Sequence, residues 1–192
     1  MSKLTEEQVK DFKEEINDAE ECWEYISIAE SLAEEGDPQW AKEIYQLAEK
    51  HVNDPSEYIE IAQSIMDEDY LDDKKLGRTY CEKALKYIKS IQDYNDLIRM
   101  IFDKDYLEDK KWGLELLEKT ERTLQTSMDY VTIGRIYARV VGDIDKGRNL
   151  FQKAEELAET ADDYKHLAGW VDAIFDDNDW ESLLRKKAKK VS

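Results

Sequence analysis

Apolar residues along this chain fall at helical rather than strand spacing, in a phrase that returns five times. Its first half is a Tyr followed at three, four and seven residues by apolar or small side chains. The instances are Tyr25-Ile28-Ala29-Leu32, Tyr58-Ile61-Ala62-Ile65, Tyr94-Leu97-Ile98-Ile101, Tyr130-Ile133-Gly134-Ile136 and Tyr164-Leu167-Ala168-Val171. In the fourth, Ile136 and Tyr137 share the last apolar position. Those offsets trace one stripe of a helix. The second half places a small residue, then an apolar and a bulky one, then another small one: Ala41-Ile44-Tyr45-Ala48, Gly77-Tyr80-Cys81-Ala84, Gly113-Leu116-Leu117-Thr120 and Gly147-Leu150-Phe151-Ala154. A fifth copy, Glu181-Leu184-Arg185-Ala188, is polar at two of these positions. The first halves recur at steps of 33, 36, 36 and 34 residues, and the second halves at 36, 36, 34 and 34. A fixed period of this length marks a repeat protein.

The pattern predicts helix pairs at about 20–53, 54–90, 91–126, 127–160 and 161–190, preceded by a single helix over 4–17. Thr5 followed by Gln8 forms a capping box there, and Val9, Phe12 and Ile16 share one face. Gly77, Gly113 and Gly147 take the phase of Ala41, opposite Ala29, Ala62, Gly134 and Ala168. Small residues facing one another predict close approach of the two helices of a pair, which offsets the cost of about 1 kcal/mol for glycine in a helix. No single pair can bury its stripe, so stacked neighbours supply the core and the ends need polar caps. Glu181 and Arg185 fit such a cap, and the cations from Arg185 to Lys190 suit a helix C-terminus.

The first repeat carries Tyr25, Ile28, Ala29, Leu32, Ala41, Tyr45 and Ala48, at offsets 0, 3, 4, 7, 16, 20 and 23. On these residues the chain resembles the tetratricopeptide repeat family, or its half-a-tetratricopeptide relatives, over about residues 20–190. The resemblance implies an all-α fold: an α-solenoid of antiparallel helix pairs forming one domain over residues 1–192, wound as a right-handed superhelix. It also implies a concave groove lined by the first helix of each pair, and protein or peptide binding in place of catalysis.

Composition changes this picture in two ways. A net charge of −18 argues against nucleic acid and permits a basic protein partner. Five Trp and eleven Tyr, with 41% hydrophobic residues, argue for a packed core despite 39% charged residues. The N-terminus shows no secretory signal, no apolar run is long enough to span a bilayer, and Cys22 and Cys81 make no disulfide framework. Two reduced thiols in a cytoplasmic protein are expected, as a monomer or weak homo-oligomer with no membrane association.

Chemistry is sparse. Cys22, Cys81, His51 and His166 never occur at zinc-ligand spacing. The acidic loops beginning at Asp67 and Asp103 place Leu71 and Leu107 at the fifth position, where a calcium loop needs an oxygen ligand. No nucleotide-binding loop or nucleophile elbow occurs. No catalytic residue, metal or cofactor is therefore expected. The candidate partner-binding residues are the outward positions of the first helices: Trp23, Ile26, Ile59, Gln63, Met66, Asn95, Arg99, Phe102, Val131, Arg135, Arg139 and Lys165. Met66 and Phe102 would add exposed apolar area. The arginines either pair locally with Asp103, Asp143 or Asp145, or meet an acidic element of a peptide through their forked donors. The function expected is that of a non-catalytic adaptor or scaffold. The alternative is an acidic immunity protein that masks a basic toxin or enzyme.

Overall fold

The structure, a computed structural model, describes residues 4–191, and of Gln92 the backbone alone. The described residues form helices and no strands. α1 (Glu6–Asp18) opens with the capping box read from sequence: Thr5 Oγ1 accepts from the Gln8 N–H, and Gln8 Oε1 accepts from the Thr5 N–H at 2.9 Å. Five hairpins follow. They are α2 (Cys22–Glu34) with α3 (Pro38–Ala48), α4 (Pro55–Met66) with α5 (Lys74–Tyr87), α6 (Ile91–Phe102) with α7 (Lys110–Glu121), α8 (Ser127–Ile136) with α9 (Ile144–Leu157), and α10 (Ala161–Phe175) with α11 (Asn178–Ala188). No described helix is long and apolar enough to cross a membrane.

One turn joins the helices of every hairpin. Its last residue, Asp37, Asp73, Asp109, Asp143 or Asp177, caps the second helix by accepting a backbone N–H three residues on, at 2.9–3.1 Å. The residue before it has positive φ each time: Gly36, Asp72, Glu108, Gly142 and Asp176. The left-handed backbone turns the chain back, and the Asp then satisfies an orphan donor at a helix N-terminus. One acidic residue of each turn is thus used in capping. At the start of the last four pairs, acids at Glu57, Asp93, Asp129 and Asp163 close capping boxes on α4, α6, α8 and α10.

The chain divides into two compact units, Met1–Lys89 with Asp103–Glu108, and Ser90–Phe102 with Asp109–Ser192. In the first, Leu32, Tyr45, Ile61, Ile65 and Tyr80 are among the fully buried side chains, and all come from the repeating stripes. Inside it, Tyr45 Oη and Ser64 Oγ lie 2.6 Å apart, and the Ser64 hydroxyl reaches Glu30 Oε1 at 2.7 Å. Burial pushes the Tyr45 phenol well above its ordinary value, so this chain of bonds stays neutral at its inner end.

In the second unit Ile98, Leu117, Ile133 and Leu150 form one cluster, and Phe151, Leu167, Val171 and Leu184 form another. The register break read at Ile136 and Tyr137 is a π-helical turn, Tyr137–Val141, that closes α8. The far end is polar as expected. Arg185 bonds Glu181, and Lys187 reaches Glu155 at 2.7 Å.

The glycines report close packing. A Cβ on Gly147 would meet the Ala138 Cβ at 2.8 Å and the Gly134 carbonyl oxygen at 2.9 Å. Gly113 lies under the Phe102 ring and Gly77 under the Met66 side chain. Only α8 and α9 therefore meet glycine to glycine; in the two earlier hairpins the missing Cβ makes room for a large side chain from the facing helix.

Candidate functional site

Two surfaces emerge, one in each unit. In the first, Trp23 stands on α2 with 63% of its surface exposed. It lines two clefts. One, of about 470 Å³, is bordered by Asp11, Glu14, Glu15 and Asp18 of α1 and by Glu24 of α2. The other, of about 380 Å³, is bordered by Glu30 of α2, Glu60 and Gln63 of α4, and Asp67 and Tyr70 of the turn that follows. Burial, then Glu57 and Asp54, raise the Glu60 carboxyl above its ordinary value. Carboxylates outnumber cations here: of the acids lining the first cleft, Glu14 pairs with Lys10 at 3.3 Å. The first unit holds 27 of the 46 acidic residues and 12 of the 28 basic ones, a net −15, which leaves −3 for the second.

In the second unit the notable residues are cations. The Arg135 guanidinium lies 3.5 Å from the centre of the Trp170 ring, and that of Arg139 lies 5.3 Å from it. Arg139 also donates to the Ala173 carbonyl at 3.0 Å. Among the described residues, neither arginine nor Arg99 makes an ion pair, so the local pairing with Asp103, Asp143 or Asp145 does not form. The buried Arg135 Nε meets no acceptor. Burial, then Arg139 and Arg99, lower the Arg135 pKa. The Trp170 indole N–H donates to His166 Nε2 at 3.0 Å, which leaves the imidazole neutral with its proton on Nδ1. Burial, then Arg135, depress His166 in the same sense, against a smaller opposing pull from Asp163.

The other candidate residues are placed differently. Ile26, Ile59 and Val131 are buried, at 8%, 6% and 1% exposure. This corrects the expectation of outward-facing side chains: Val131 packs with Leu167 and Ala168 of the next hairpin's first helix, so its phase faces a neighbour. Met66, expected to add exposed apolar area, is buried because it fills the space over Gly77. Phe102 is half-buried over Gly113. Gln63 is half-buried and lines the second Trp23 cleft. Asn95 donates to Asp96, and Lys165 pairs with Asp162 at 2.9 Å.

Trp170 is the residue that fixed offsets missed. It lies six residues past Tyr164, outside the outward phases, and reaches Arg135 only because α8 and α10 are neighbours. An Arg pair four residues apart, followed one repeat later by a Trp, was the available signal. Among the described residues no group of three His, Cys, Asp or Glu side chains is placed to hold a metal ion. Comparison with known protein families, with curated proteins and with solved structures finds no match to this chain.

Proposed function

We propose that this chain is a tetratricopeptide-like helical-repeat protein that works without catalysis, as an adaptor binding another protein. Its docking surface is the Trp23 face, and the occupant is a basic segment of the partner. One observation carries this reading: a tryptophan 63% exposed stands between two clefts walled by carboxylates. Exposed indole is a strong attractor for Lys and Arg, through cation–π contact as well as apolar burial. The carboxylates on either side supply charge pairs, and the −15 of this unit steers a basic partner during encounter. The rest of the repeat holds α2 and α4 at fixed spacing.

The same concentration of charge supports the second reading, an inhibitor that covers a basic enzyme. The two differ in salt dependence and outcome. An inhibitor loses association rate steeply with salt and silences its target, whereas an adaptor binds a segment whose protein stays active. The test is capture from native extract at low and high salt with the wild-type chain and Trp23→Ala. The reading expects a basic protein held by the wild type and lost by the variant. Equal retention by both would refute it.

A further inference from the structure

We propose that Arg99, Arg135 and Arg139 form a receptor for a phosphate monoester dianion. The proposal is independent of the Trp23 face, because every residue in it belongs to the second unit. It rests first on unmet donors. Among the described residues Arg135 makes no hydrogen bond to protein, and its buried Nε is left without an acceptor. A guanidinium left without acceptors costs free energy, and an oxyanion bound at its remaining N–H groups would offset part of that cost. It rests second on charge. Arg99 stands on α6, which packs against α8 and its Arg135, and with Arg139 it acts on Arg135 as a like charge; among the described residues none of the three makes an ion pair.

Stacking determines the approach. With Trp170 3.5 Å away, one face of the Arg135 guanidinium is covered and its plane is fixed. The edge carries the N–H donors, so the ligand comes in the plane of the fork, as phosphate oxygens do. Arg139 keeps donors beyond the one it gives to Ala173. Arg99 and Arg139 are exposed, which leaves the approach open to a group carried on a chain. His166 turns Nε2 to the indole, so the N–H it can offer is at Nδ1.

A carboxylate brings one negative charge and two oxygens. A phosphate monoester brings nearly two charges and three terminal oxygens, the better match for three guanidiniums. The source is either a phosphorylated side chain of a partner protein or phosphate free in solution.

Isothermal titration of the full chain at low salt tests this. The probes are inorganic phosphate, a short phosphoserine peptide, and the same peptide with Ser or Glu in that place. The phosphoserine peptide should bind roughly tenfold or more tighter than its Ser and Glu counterparts. Arg99→Gln should weaken it by a similar factor; this side chain is exposed and unpaired among the described residues, so its loss leaves the fold intact. Arg135→Lys, which keeps the charge and loses the fork, should also weaken it. If the phosphopeptide binds tighter than inorganic phosphate, the ligand is a phosphorylated protein segment; if no tighter, it is free phosphate. Equal binding of the Glu peptide, binding indifferent to both substitutions, or no binding of either phosphate probe would overturn the proposal.

Discussion

The carbonyl oxygen of Gly134 lies 2.9 Å from the point where a Cβ on Gly147 would sit, and the Gly147 carbonyl oxygen lies 3.2 Å from the matching point on Gly134. The contact is between backbones, which cannot step aside as a side chain can. Gly147→Ala should therefore destabilise the protein by about 1–3 kcal/mol, although alanine is the better helix former. Gly169, inside α10, has nothing within 4 Å of its missing Cβ, and Gly169→Ala should stabilise by about 0.5–1 kcal/mol. Urea unfolding midpoints of the two variants should move in opposite directions. A raised midpoint for Gly147→Ala would show that the helices are not in this contact.

A second stability prediction concerns the hairpin turns. Glu108 has a φ of 51° at the position where two other turns have glycine, and a glutamate side chain gains nothing there. Glu108→Gly should raise stability by up to about 1 kcal/mol, whereas Gly142→Ala, at a φ of 83°, should lower it by a similar amount despite open space around it. Thermal unfolding of both variants checks the pair. Asp72 and Asp176 share the conformation, and their short polar side chains tolerate it better.

These two cases show what the sequence could and could not convey. Helix positions were legible because burial imposes a period, and every stripe residue from Tyr25 to Val171 fell on a helix where the period put it. The invariant of the turns was legible too, in Gly36-Asp37 and Gly142-Asp143, but it was hidden where Asp72, Glu108 and Asp176 replace the glycine. The outward phases failed for Ile26, Ile59, Val131 and Met66, because one helix period cannot tell solvent from a neighbouring hairpin. Trp23 was legible because it falls at an outward phase, two residues before Tyr25, and there its side chain is 63% exposed. Trp170 was missed because its partner, Arg135, is one repeat away.

Acid should weaken the fold. Lys42, 2.7 Å from Asp73, and the Leu76 N–H hold the Asp73 carboxyl below the usual aspartate value of 3.8. Hydrogen bonds from Ser56 and Thr160 do the same for Asp54 and Asp163. A carboxyl depressed in the folded state contributes its full stability above the unfolded value. That contribution is lost as pH falls through the folded value. Unfolding free energy should thus decline as pH drops below 3.8, and Asp73→Asn should flatten that decline. The same change should remove about 0.5–1 kcal/mol at neutral pH. Glu60 runs the other way: raised in the folded state, it favours the fold at low pH and opposes it as pH rises through its folded value. Glu60→Gln should leave the protein slightly more stable at neutral pH, as read by urea titration.

Burial pushes the thiols of both Cys22 and Cys81 up to about 12. Neither has exposed surface in the fold. A disulfide reagent at mildly alkaline pH should react with neither thiol in the native protein and with both after denaturation. Rapid reaction of one thiol in native buffer would mean that its helix opens locally.

The central claim is that Trp23 and its acidic clefts bind a basic segment of a partner. The most direct measurement is titration of the full chain with a short Lys- and Arg-rich peptide, comparing wild type, Trp23→Ala and Leu114→Ala. All three carry the same charge, so non-specific attraction is held constant. Leu114 is an exposed apolar residue of the second unit and serves as the control. The account predicts that Trp23→Ala costs about 2 kcal/mol of binding, as an interface anchor does, while Leu114→Ala leaves affinity unchanged. Equal affinity for all three proteins would contradict it.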